Sequence, residues 1–403
     1  MQMDQTYLSQ VNTVEIVLKI VERCNLNCSY CYYFNGGNND FEKMPAVMTP
    51  KTASDIGAFL AEGAKRIGIN QVNLDFHGGE PLFLKKERFI EIVEALIDAL
   101  DPDVKLRFAI QTNAALIDDE WIDILSKYNF LVGVSLDGPK SYNDKFRIDH
   151  KGRSSYDDTV NGIRLLREAY ESGRIKSYGG LAVINHEFDS NKIYRHFVDD
   201  LKFPGLDFLL PDYTHDNFDS STAAAYGDYL INLFELWKED FEDIEVRRIN
   251  NLIAAFSGDE TNRFVGFSKQ AAKAIAFTIH SDGTCAPDDI LRITPVWDEF
   301  IKPNVTETTL EQFLLQPLLI QMEKESRAVP PACEVCCWAN ICGGGGVQTH
   351  QYDSKNHSFH NPSVFCESLQ QFYAHVAQFL LDNGMPQHRL LEILGIQDEE
   401  KVA

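Results

Sequence analysis

The chain has 403 residues, of which 44% are hydrophobic and 24% charged, and its formal net charge is −23 at pH 7. This composition is that of a globular protein long enough for a large catalytic domain and a smaller one. The negative charge argues against a nucleic-acid partner, because phosphate backbones are bound by clustered Lys and Arg. No apolar run reaches the roughly 20 residues that cross a bilayer, and residues 1–12 do not resemble a signal peptide. We therefore expect a cytoplasmic protein with no membrane partner.

Six strand-like segments, each followed by a helix-like segment, alternate between residues 13 and 238. This alternation favours an α/β fold in which a parallel sheet curls into a partial (β/α)6 TIM barrel, and a doubly wound open sheet is the alternative. The predicted strands are 13–23, 71–77, 106–112, 130–136, 179–185 and 206–210, and the predicted helices are 50–67, 87–100, 118–127, 156–171, 189–201 and 221–238.

Polar and glycine-rich motifs follow the predicted strands, at the end where barrel enzymes place their active sites. The first five strands each end in such a motif, so one face of the barrel collects all of them. The motifs are Cys24–Cys31, Gly78-Gly79-Glu80-Pro81, Gln111-Thr112-Asn113, Ser135–Pro139 and Asn185.

Cys24, Cys28 and Cys31 form a C-x3-C-x2-C motif directly after the first strand. Three thiolates this close can hold three corners of a cubane iron-sulfur cluster and leave the fourth iron open to a reactive ligand. A structural zinc site is instead closed by four protein ligands. The remaining alternative is three buried core thiols, since free cysteine is often buried.

The motif, with Tyr30 just before its third cysteine, resembles that of the radical S-adenosylmethionine (SAM) superfamily. The resemblance implies a [4Fe-4S] cluster whose open iron binds SAM. One electron then splits SAM into methionine and a 5′-deoxyadenosyl radical, which abstracts a hydrogen atom from the substrate. In such enzymes the cofactor carries the difficult step, while the protein positions it and excludes water.

The same resemblance implies a set of SAM contacts at the ends of the strands. Gly78, Gly79 and Glu80 match the family's G-G-E motif at the methionyl part of SAM, and Arg147 matches an arginine that faces its carboxylate. For each residue alone, a turn or core role is the alternative. The remaining implied contacts are Ser135, Asp137 and Asn113 for the ribose and Tyr30 and Leu181 for adenine.

The pattern changes after residue 240, so we expect a barrel at 1–240, a bridging helical segment at 241–265 and a second domain at 266–403. The C-terminal part carries the other six of the nine cysteines. Cys333, Cys336 and Cys342 form C-x2-C-x5-C, and Cys366 follows. This pattern resembles the SPASM extension of radical SAM peptide maturases, which holds auxiliary [4Fe-4S] clusters.

The chain departs from that extension in an informative way. Asp288 stands where one SPASM cysteine is expected, and Gly346 stands where another is expected. In the SPASM extension, the cysteines that are missing here serve the first auxiliary cluster. The resemblance therefore implies one auxiliary cluster, held by the four cysteines that remain, Cys333, Cys336, Cys342 and Cys366.

This assignment leaves open the roles of two cysteines and the identity of the metal that the four C-terminal cysteines bind. Cys337 could replace Cys336 as a ligand. Cys285 is either a core thiol or a further ligand or substrate-proximal group. On spacing alone, zinc is an alternative to iron for the four C-terminal cysteines, because the two metals share thiolate ligands.

The smaller number of C-terminal cysteines and the run C-N-L-N-C-S-Y-C-Y-Y-F-N-G-G most resemble the cyclophane-forming, XYE-type maturases. These join an aromatic side chain to the Cβ of a residue two positions on in a three-residue motif. The resemblance implies a ribosomally made precursor peptide, with a leader and an aromatic core motif, as substrate, and flavodoxin or ferredoxin as electron donor. Asp289, with Asp288 beside it, matches the catalytic base of related enzymes, and a helix N-cap is the alternative role.

Two other functions compete with the cyclophane hypothesis. One is an anaerobic sulfatase-maturating (formylglycine-generating) or thioether-forming radical SAM enzyme. The other is a zinc-binding scaffold without turnover. Twelve residues precede the first predicted strand, so we expect no separate leader-binding domain there. The charge of −23 favours a leader with basic residues.

The assignment of one radical SAM cluster and one auxiliary cluster predicts the iron content. Protein reconstituted without oxygen with iron and sulfide should hold about eight iron atoms per chain. Iron analysis of the desalted protein measures this number. A content near about twelve would reveal a second auxiliary cluster and contradict the assignment.

Overall fold

The computed structural model describes residues 8–9, 11–258 and 274–396. The predicted start of the second domain near Gly266 and the end of the predicted bridging segment lie outside the described residues. The described residues form two compact units, and the first comprises 8–9, 11–182, 196–204 and 274–320. The second comprises 183–195, 205–258 and 321–396. The predicted domain limits stay a prediction.

A parallel sheet forms the centre of the first unit. Its strands are β1 (Thr13–Val21), β2 (Gln71–Gly78), β3 (Lys105–Thr112), β4 (Leu131–Ser135), β5 (Tyr178–Val183), β8 (Ala274–Ile279) and β9 (Cys285–Ala286). They lie in the order β5-β4-β3-β2-β1-β8, and β9 pairs antiparallel with β8 at the edge. From β1 to β5 the spatial order follows the sequence, without the reversal that marks a doubly wound sheet.

Helices follow the strands of the first unit close to the predicted positions. Thr49 caps the first long helix by accepting a hydrogen bond from the Thr52 backbone, and Pro50 is its first residue. Asp118 caps the helix after β3 through the Trp121 backbone. The longer helices of this unit are Pro50–Ile67, Lys86–Ala99, Asp119–Lys127 and Tyr156–Glu171, and the shorter ones are Lys140–Asn143 and Leu310–Leu314.

One face of the sheet packs against these helices through aromatic side chains. Phe76 of β2 is fully buried and meets Phe89 of the following helix at a ring separation of 5.3 Å. Phe108 and Phe130 lie 5.7 Å and 5.1 Å from Phe76. Because side chains alternate along a strand, this packing turns His77, the next residue, to the opposite face. The apolar face therefore fixes which residues line the barrel interior.

The second unit contains the strand pair β6 (Gly205–Leu209) and β7 (Glu245–Val246), which is parallel. Its two longest helices, Ala223–Asp240 and Cys366–Asp382, pack against each other, and the Ser368 hydroxyl donates to the Ala223 carbonyl. No helix among the described residues is long and apolar enough to cross a membrane. Further helices of this unit are Ser190–Arg195, Arg247–Phe256, most of Pro317–Arg327, Ala339–Cys342, Gln348–Gln351 and Gln387–Leu394.

Candidate active site

The loop after β1 brings the three N-terminal cysteines together. The backbone amides of Asn27 and Ser29 donate to the carbonyls of Ile148 and Phe146, at 2.7 Å and 3.1 Å. The Cys31 amide donates to the Cys28 carbonyl, which tightens the turn between these two cysteines. The loop is thus held by backbone contacts and leaves its thiol groups available.

The thiols are close enough to affect one another. Burial, the carboxylate of Glu80 and the neighbouring Cys28 and Cys31 raise the pKa of Cys24 to about 12. Burial also raises the pKa of Cys28, although the guanidinium of Arg147 opposes the rise. Thiolates that ligate iron must lose their protons, and iron supplies the positive charge that makes this possible. Three thiols this close together fit the three-point ligation of a cubane cluster.

Gly78 and Gly79 lie against the start of the cysteine loop. A Cβ on Gly78 would meet the Val21 carbonyl oxygen at 2.0 Å, and one on Gly79 would meet the Arg23 carbonyl oxygen at 2.1 Å. The amides of Gly79 and Glu80 donate to these same two carbonyls. The glycines therefore allow the backbone after β2 to approach the cysteine loop. Their predicted contact with SAM stays a prediction.

Glu80 joins the ends of β2 and β3. Its side chain is 1% exposed and accepts hydrogen bonds from the Leu82 amide, the Thr112 hydroxyl and the Asn113 amide, at 3.0, 2.6 and 2.7 Å. Burial raises its pKa despite these three donors. Both carboxylate oxygens thus have partners within the protein, and Glu80 acts as a brace between two strand ends.

Tyr30, Asp137 and Arg147 form one connected group. The Tyr30 hydroxyl donates to Asp137 Oδ2 and accepts from Arg147 Nη1, both at 2.8 Å. Arg147 also lies near the Cys28 thiol, because the two groups shift each other's pKa. Three predicted SAM contacts therefore gather beside the cysteine loop, although they come from three separate segments.

The other predicted SAM contacts lie at neighbouring strand ends. Asn113 Nδ2 donates to Asn25 Oδ1 at 2.8 Å, which ties the end of β3 to the cysteine loop. The Ser135 hydroxyl accepts from Gln111 Nε2 at 2.7 Å. Leu181 pairs with Ser135 across β4 and β5. The structure brings these residues to the same end of the sheet, and their contacts with SAM stay predictions.

Asp289 lies in a buried polar cluster with Lys19 and Tyr32. Its carboxylate forms an ion pair with Lys19 Nζ and accepts a hydrogen bond from the Tyr32 hydroxyl at 2.9 Å. Lys19 and Asp289 are 0% and 2% exposed. Burial alone would raise the pKa of Asp289, but the charge of Lys19 and the hydrogen bonds from Lys19 and Tyr32 lower it overall. Asp289 is therefore held as a carboxylate.

His77 completes this cluster as a neutral imidazole. Its Nδ1 lies 3.5 Å from Lys19 Nζ, and the ammonium is the donor. Burial, followed by the charge of Lys19, lowers the pKa of His77 to about 3. The Tyr32 hydroxyl also lies near the Cys31 thiol, since burial, followed by the charges of Asp289 and Cys31, raises the pKa of Tyr32. The Asp289 carboxylate is thus next to the cysteine loop.

Sequence reasoning missed Lys19, His77 and Tyr32 as parts of the site. A lysine near the end of an apolar strand, and a histidine directly before the G-G-E motif, were the signals available.

The structure also separates the two predicted bases, Asp288 and Asp289. Asp288 accepts from the Ile290 amide and caps the short helix Asp289–Ile293, as the N-cap alternative describes.

A second buried polar network lies beside the first. Glu22 is fully buried and accepts hydrogen bonds from the Tyr33 hydroxyl and from His280 Nδ1. Burial raises the pKa of Glu22, but its bonds to His280 and Tyr33 lower it overall. The guanidinium of Arg292 lies 4.0 Å from the centre of the Tyr33 ring.

Cys285 is fully buried in β9, as a core thiol would be.

The four predicted auxiliary ligands line one pocket in the second unit. Cys333, Cys336, Cys342 and Cys366 share it with Trp338 and Tyr373, while Cys337 is exposed and is not part of the lining. Burial raises the pKa of Cys342 to about 12. In the part of the chain that the structure describes, no group of three or more His, Cys, Asp or Glu side chains has the arrangement for a single metal ion.

Gly343–Gly346 form a turn beside this pocket. All four residues have positive φ, between 58° and 111°, and Gly344 is part of the pocket lining. Four consecutive residues in this region require glycine, because side chains are strained there. The run therefore shapes the chain around the cysteines.

Residues 18–193 match the model of the radical SAM superfamily. The chain carries a radical SAM domain. Its α/β fold, with a parallel sheet that forms a partial barrel and a C-terminal region with cysteines, confirms the predicted fold class.

Characterised relatives match nearly the whole chain. The cysteine-type anaerobic sulfatase-maturating enzyme of Clostridium perfringens (strain 13 / Type A) is 29% identical over 374 residues, which cover 89% of this chain and 95% of the relative. The serine-type enzyme of Bacteroides thetaiotaomicron is 23% identical over 419 residues, covering 93% and 92%. The structure of native anSMEcpe with bound AdoMet and Cp18Cys peptide has a TM-score of 0.74 at 24% identity, covering 92% of this chain and 98% of that one.

The cofactors follow from this domain and the site. Radical SAM enzymes use SAM and a [4Fe-4S] cluster, and the similar structure of native anSMEcpe holds bound AdoMet. SAM and [4Fe-4S] clusters are therefore the cofactors of this chain, as predicted. The ligand residues and the count of one auxiliary cluster stay predictions.

Replacing Glu80 tests whether it braces the fold or contacts the cofactor. In Glu80→Gln, the amide group faces a backbone N–H or hydroxyl donor, so we expect a loss of about 1–3 kcal/mol in the free energy of unfolding. Urea unfolding of the purified protein measures this loss. Glu62→Gln, at an exposed surface ion pair, is the control and should change stability little. Unchanged stability together with lost SAM binding would contradict the bracing role.

Proposed function

We propose that this chain is a peptide-modifying radical SAM enzyme in which Asp289 takes a proton from the oxidised substrate. The observation that carries the proposal is the buried Asp289 carboxylate, held ionised by Lys19 beside the cysteine loop. A group at this place and in this state is suited to accept a proton. The proposed substrate position is the Cβ of a residue in the peptide.

The bound cofactors supply one-electron cleavage of SAM and removal of a hydrogen atom from the substrate. The protein's part is to hold SAM and to complete the oxidation. We assign Arg147 to pair with the SAM carboxylate, and the hydrogen bond from Arg147 to Tyr30 supports this role because it orients the guanidinium. Asn113 and Asp137 offer polar groups at the adjacent strand ends.

Loss of one hydrogen atom leaves a carbon radical on the substrate. A closed-shell product requires that this radical lose one more electron and one proton. The electron would pass to an oxidant, which a cluster held by Cys333, Cys336, Cys342 and Cys366 would supply, and the proton goes to a carboxylate oxygen of Asp289. A lowered pKa suffices for this base, because a substrate that has lost an electron is a strong acid.

For the product, we propose an aromatic-ring-to-Cβ crosslink in a ribosomally made precursor peptide. Two features of the chain support this choice over formylglycine. Asp288 occupies the position where the full SPASM pattern has a cysteine, and the C-terminal cysteine pocket contains the residues of one cluster. Ring closure needs a base for the ring proton, which is the role given to Asp289.

Formylglycine formation is the second candidate, and the relatives favour it. Enzymes named as anaerobic sulfatase-maturating match this chain over most of its length. One solved structure of similar fold holds a Cys peptide, which supports a peptide substrate for either candidate. For this chain we propose a partner peptide with a basic leader, complementary to the charge of −23. Flavodoxin or ferredoxin is the proposed electron donor.

The product distinguishes the two candidates. Reconstituted enzyme is incubated with SAM, dithionite and one of two peptides, of which the first carries an aromatic three-residue motif without Cys or Ser and the second carries a sulfatase-type Cys. We expect the first peptide to lose two hydrogens and to resist fragmentation within the motif by tandem mass spectrometry. A product from the second peptide only, reactive with a hydrazide probe, would replace the crosslink by formylglycine.

Asp289→Asn tests the base in the same assay. We expect product formation to fall by about 10²–10⁴-fold, because general-base catalysis contributes rate factors of this size. Formation of 5′-deoxyadenosine should persist, because Asp289 acts after SAM cleavage. Asp288→Asn is the matched control and should retain product formation. Equal product yields from Asp289→Asn and the unaltered enzyme would refute the role of the base.

Lys19→Met tests the ion pair through pH. In the unaltered protein the pKa of Asp289 is lowered, so its basic form is present above that pKa and is lost only as pH falls through it. Without the ammonium, burial dominates and raises this pKa. The acid limb of the rate profile should therefore move to higher pH. Lys51→Met, at an exposed ion pair with Asp55, is the control, and an identical acid limb in both variants would exclude the role of Lys19.

A further inference from the structure

The helix Cys366–Asp382 carries a predicted cluster ligand and two hydrogen-bond donors toward the same pocket. Cys366, Gln370 and Tyr373 are spaced four and three residues apart, so they lie along one face of the helix. All three belong to the lining of the cysteine pocket. Neither Gln370 nor Tyr373 belongs to the cysteine pattern.

Both polar side chains lie close to cysteine sulfur atoms. Gln370 Nε2 lies 3.4 Å from Cys366 Sγ and 3.9 Å from Cys336 Sγ. The Tyr373 hydroxyl lies near the Cys342 thiol, because both residues line the pocket and each shifts the pKa of the other. The two side chains thus reach three of the four predicted ligands.

The two donors differ in their surroundings. Tyr373 is 6% exposed and its ring lies against Trp338, with 6.1 Å between ring centres. Gln370 is exposed, so water competes with its amide for the sulfurs. A hydrogen bond in a dry environment is electrostatically stronger than one in water. Tyr373 should therefore affect the sulfurs more than Gln370 does.

We propose that Tyr373 and, to a smaller extent, Gln370 raise the reduction potential of the auxiliary cluster. Reduction adds one negative charge that is shared with the ligating sulfurs, and donors to those sulfurs stabilise the reduced state more than the oxidised state. Tyr373 and Gln370 are thus positioning residues that act through the ligands. This inference rests on the proposed function, because it requires a cluster held by Cys333, Cys336, Cys342 and Cys366.

The raised potential serves the second electron transfer of the proposed reaction. The substrate radical is oxidised by one electron and loses one proton to Asp289. The oxidised auxiliary cluster gains that electron and is reduced by one unit of charge. A higher potential favours this direction of transfer.

The test is a redox titration in the full chain without the radical SAM cluster. Cys24, Cys28 and Cys31 are each replaced by alanine, and the remaining cluster is titrated anaerobically and followed by electron paramagnetic resonance. Tyr373→Phe removes the hydroxyl while keeping the ring, and Gln370→Leu removes the amide. Gln378→Leu is the control, because Gln378 lies on the same helix and donates to Asp382.

We expect a lower midpoint potential in Tyr373→Phe, a smaller decrease in Gln370→Leu and no change in Gln378→Leu, with one cluster's iron in all three. Midpoints equal to the control in both Tyr373→Phe and Gln370→Leu, at full iron content, would overturn the tuning role alone. A background protein that holds no cluster, or one whose cluster survives Cys342→Ala together with Cys366→Ala, would overturn the cluster assignment on which the inference rests.

Discussion

The parallel register of β1 and β2 is the constraint on which the site depends. It sets Lys19 beside His77 and Val21 beside Gly78, with an irregularity between the two pairs. The first pair brings the ammonium into the barrel interior, where it meets Asp289. The second brings the glycines to the cysteine loop, where only residues without a Cβ fit. A slip of one residue would turn both sets of side chains to the wrong face.

The buried ion pair with Lys19 explains how Asp289 stays ionised in an environment that excludes water. Removing either partner of such a pair leaves an uncompensated charge, so both must be present together. The ammonium is further enclosed by aromatic rings, since Lys19 Nζ lies 4.3 Å from the centre of the Tyr33 ring. Tyr33 in turn contacts Glu22, which links the first network to the second. Lys19, Asp289, Tyr32, Tyr33 and Glu22 thus form one connected set of buried polar side chains.

Most of the framework was predictable from local sequence signals. Strand and helix positions depend on residues close in sequence, and the structure places those of the first unit close to the predicted positions. The partners of Asp289 were not predictable, because Lys19 is 270 positions away and reads as part of an apolar strand. Strand β8 beside β1 was missed for the same reason. The bracing role of Glu80 required the positions of three donors that the sequence does not give.

The first compact unit is discontinuous, because β8 pairs with β1 across a long stretch of intervening chain. During synthesis, one edge of β1 therefore stays unpaired until β8 is made. About 250 residues are added in the meantime, which takes about 10–50 s at ordinary translation rates. An apolar strand with an open edge is prone to pair with other chains. The order of the chain thus makes the nascent protein, more than the finished one, the form that needs protection by chaperones.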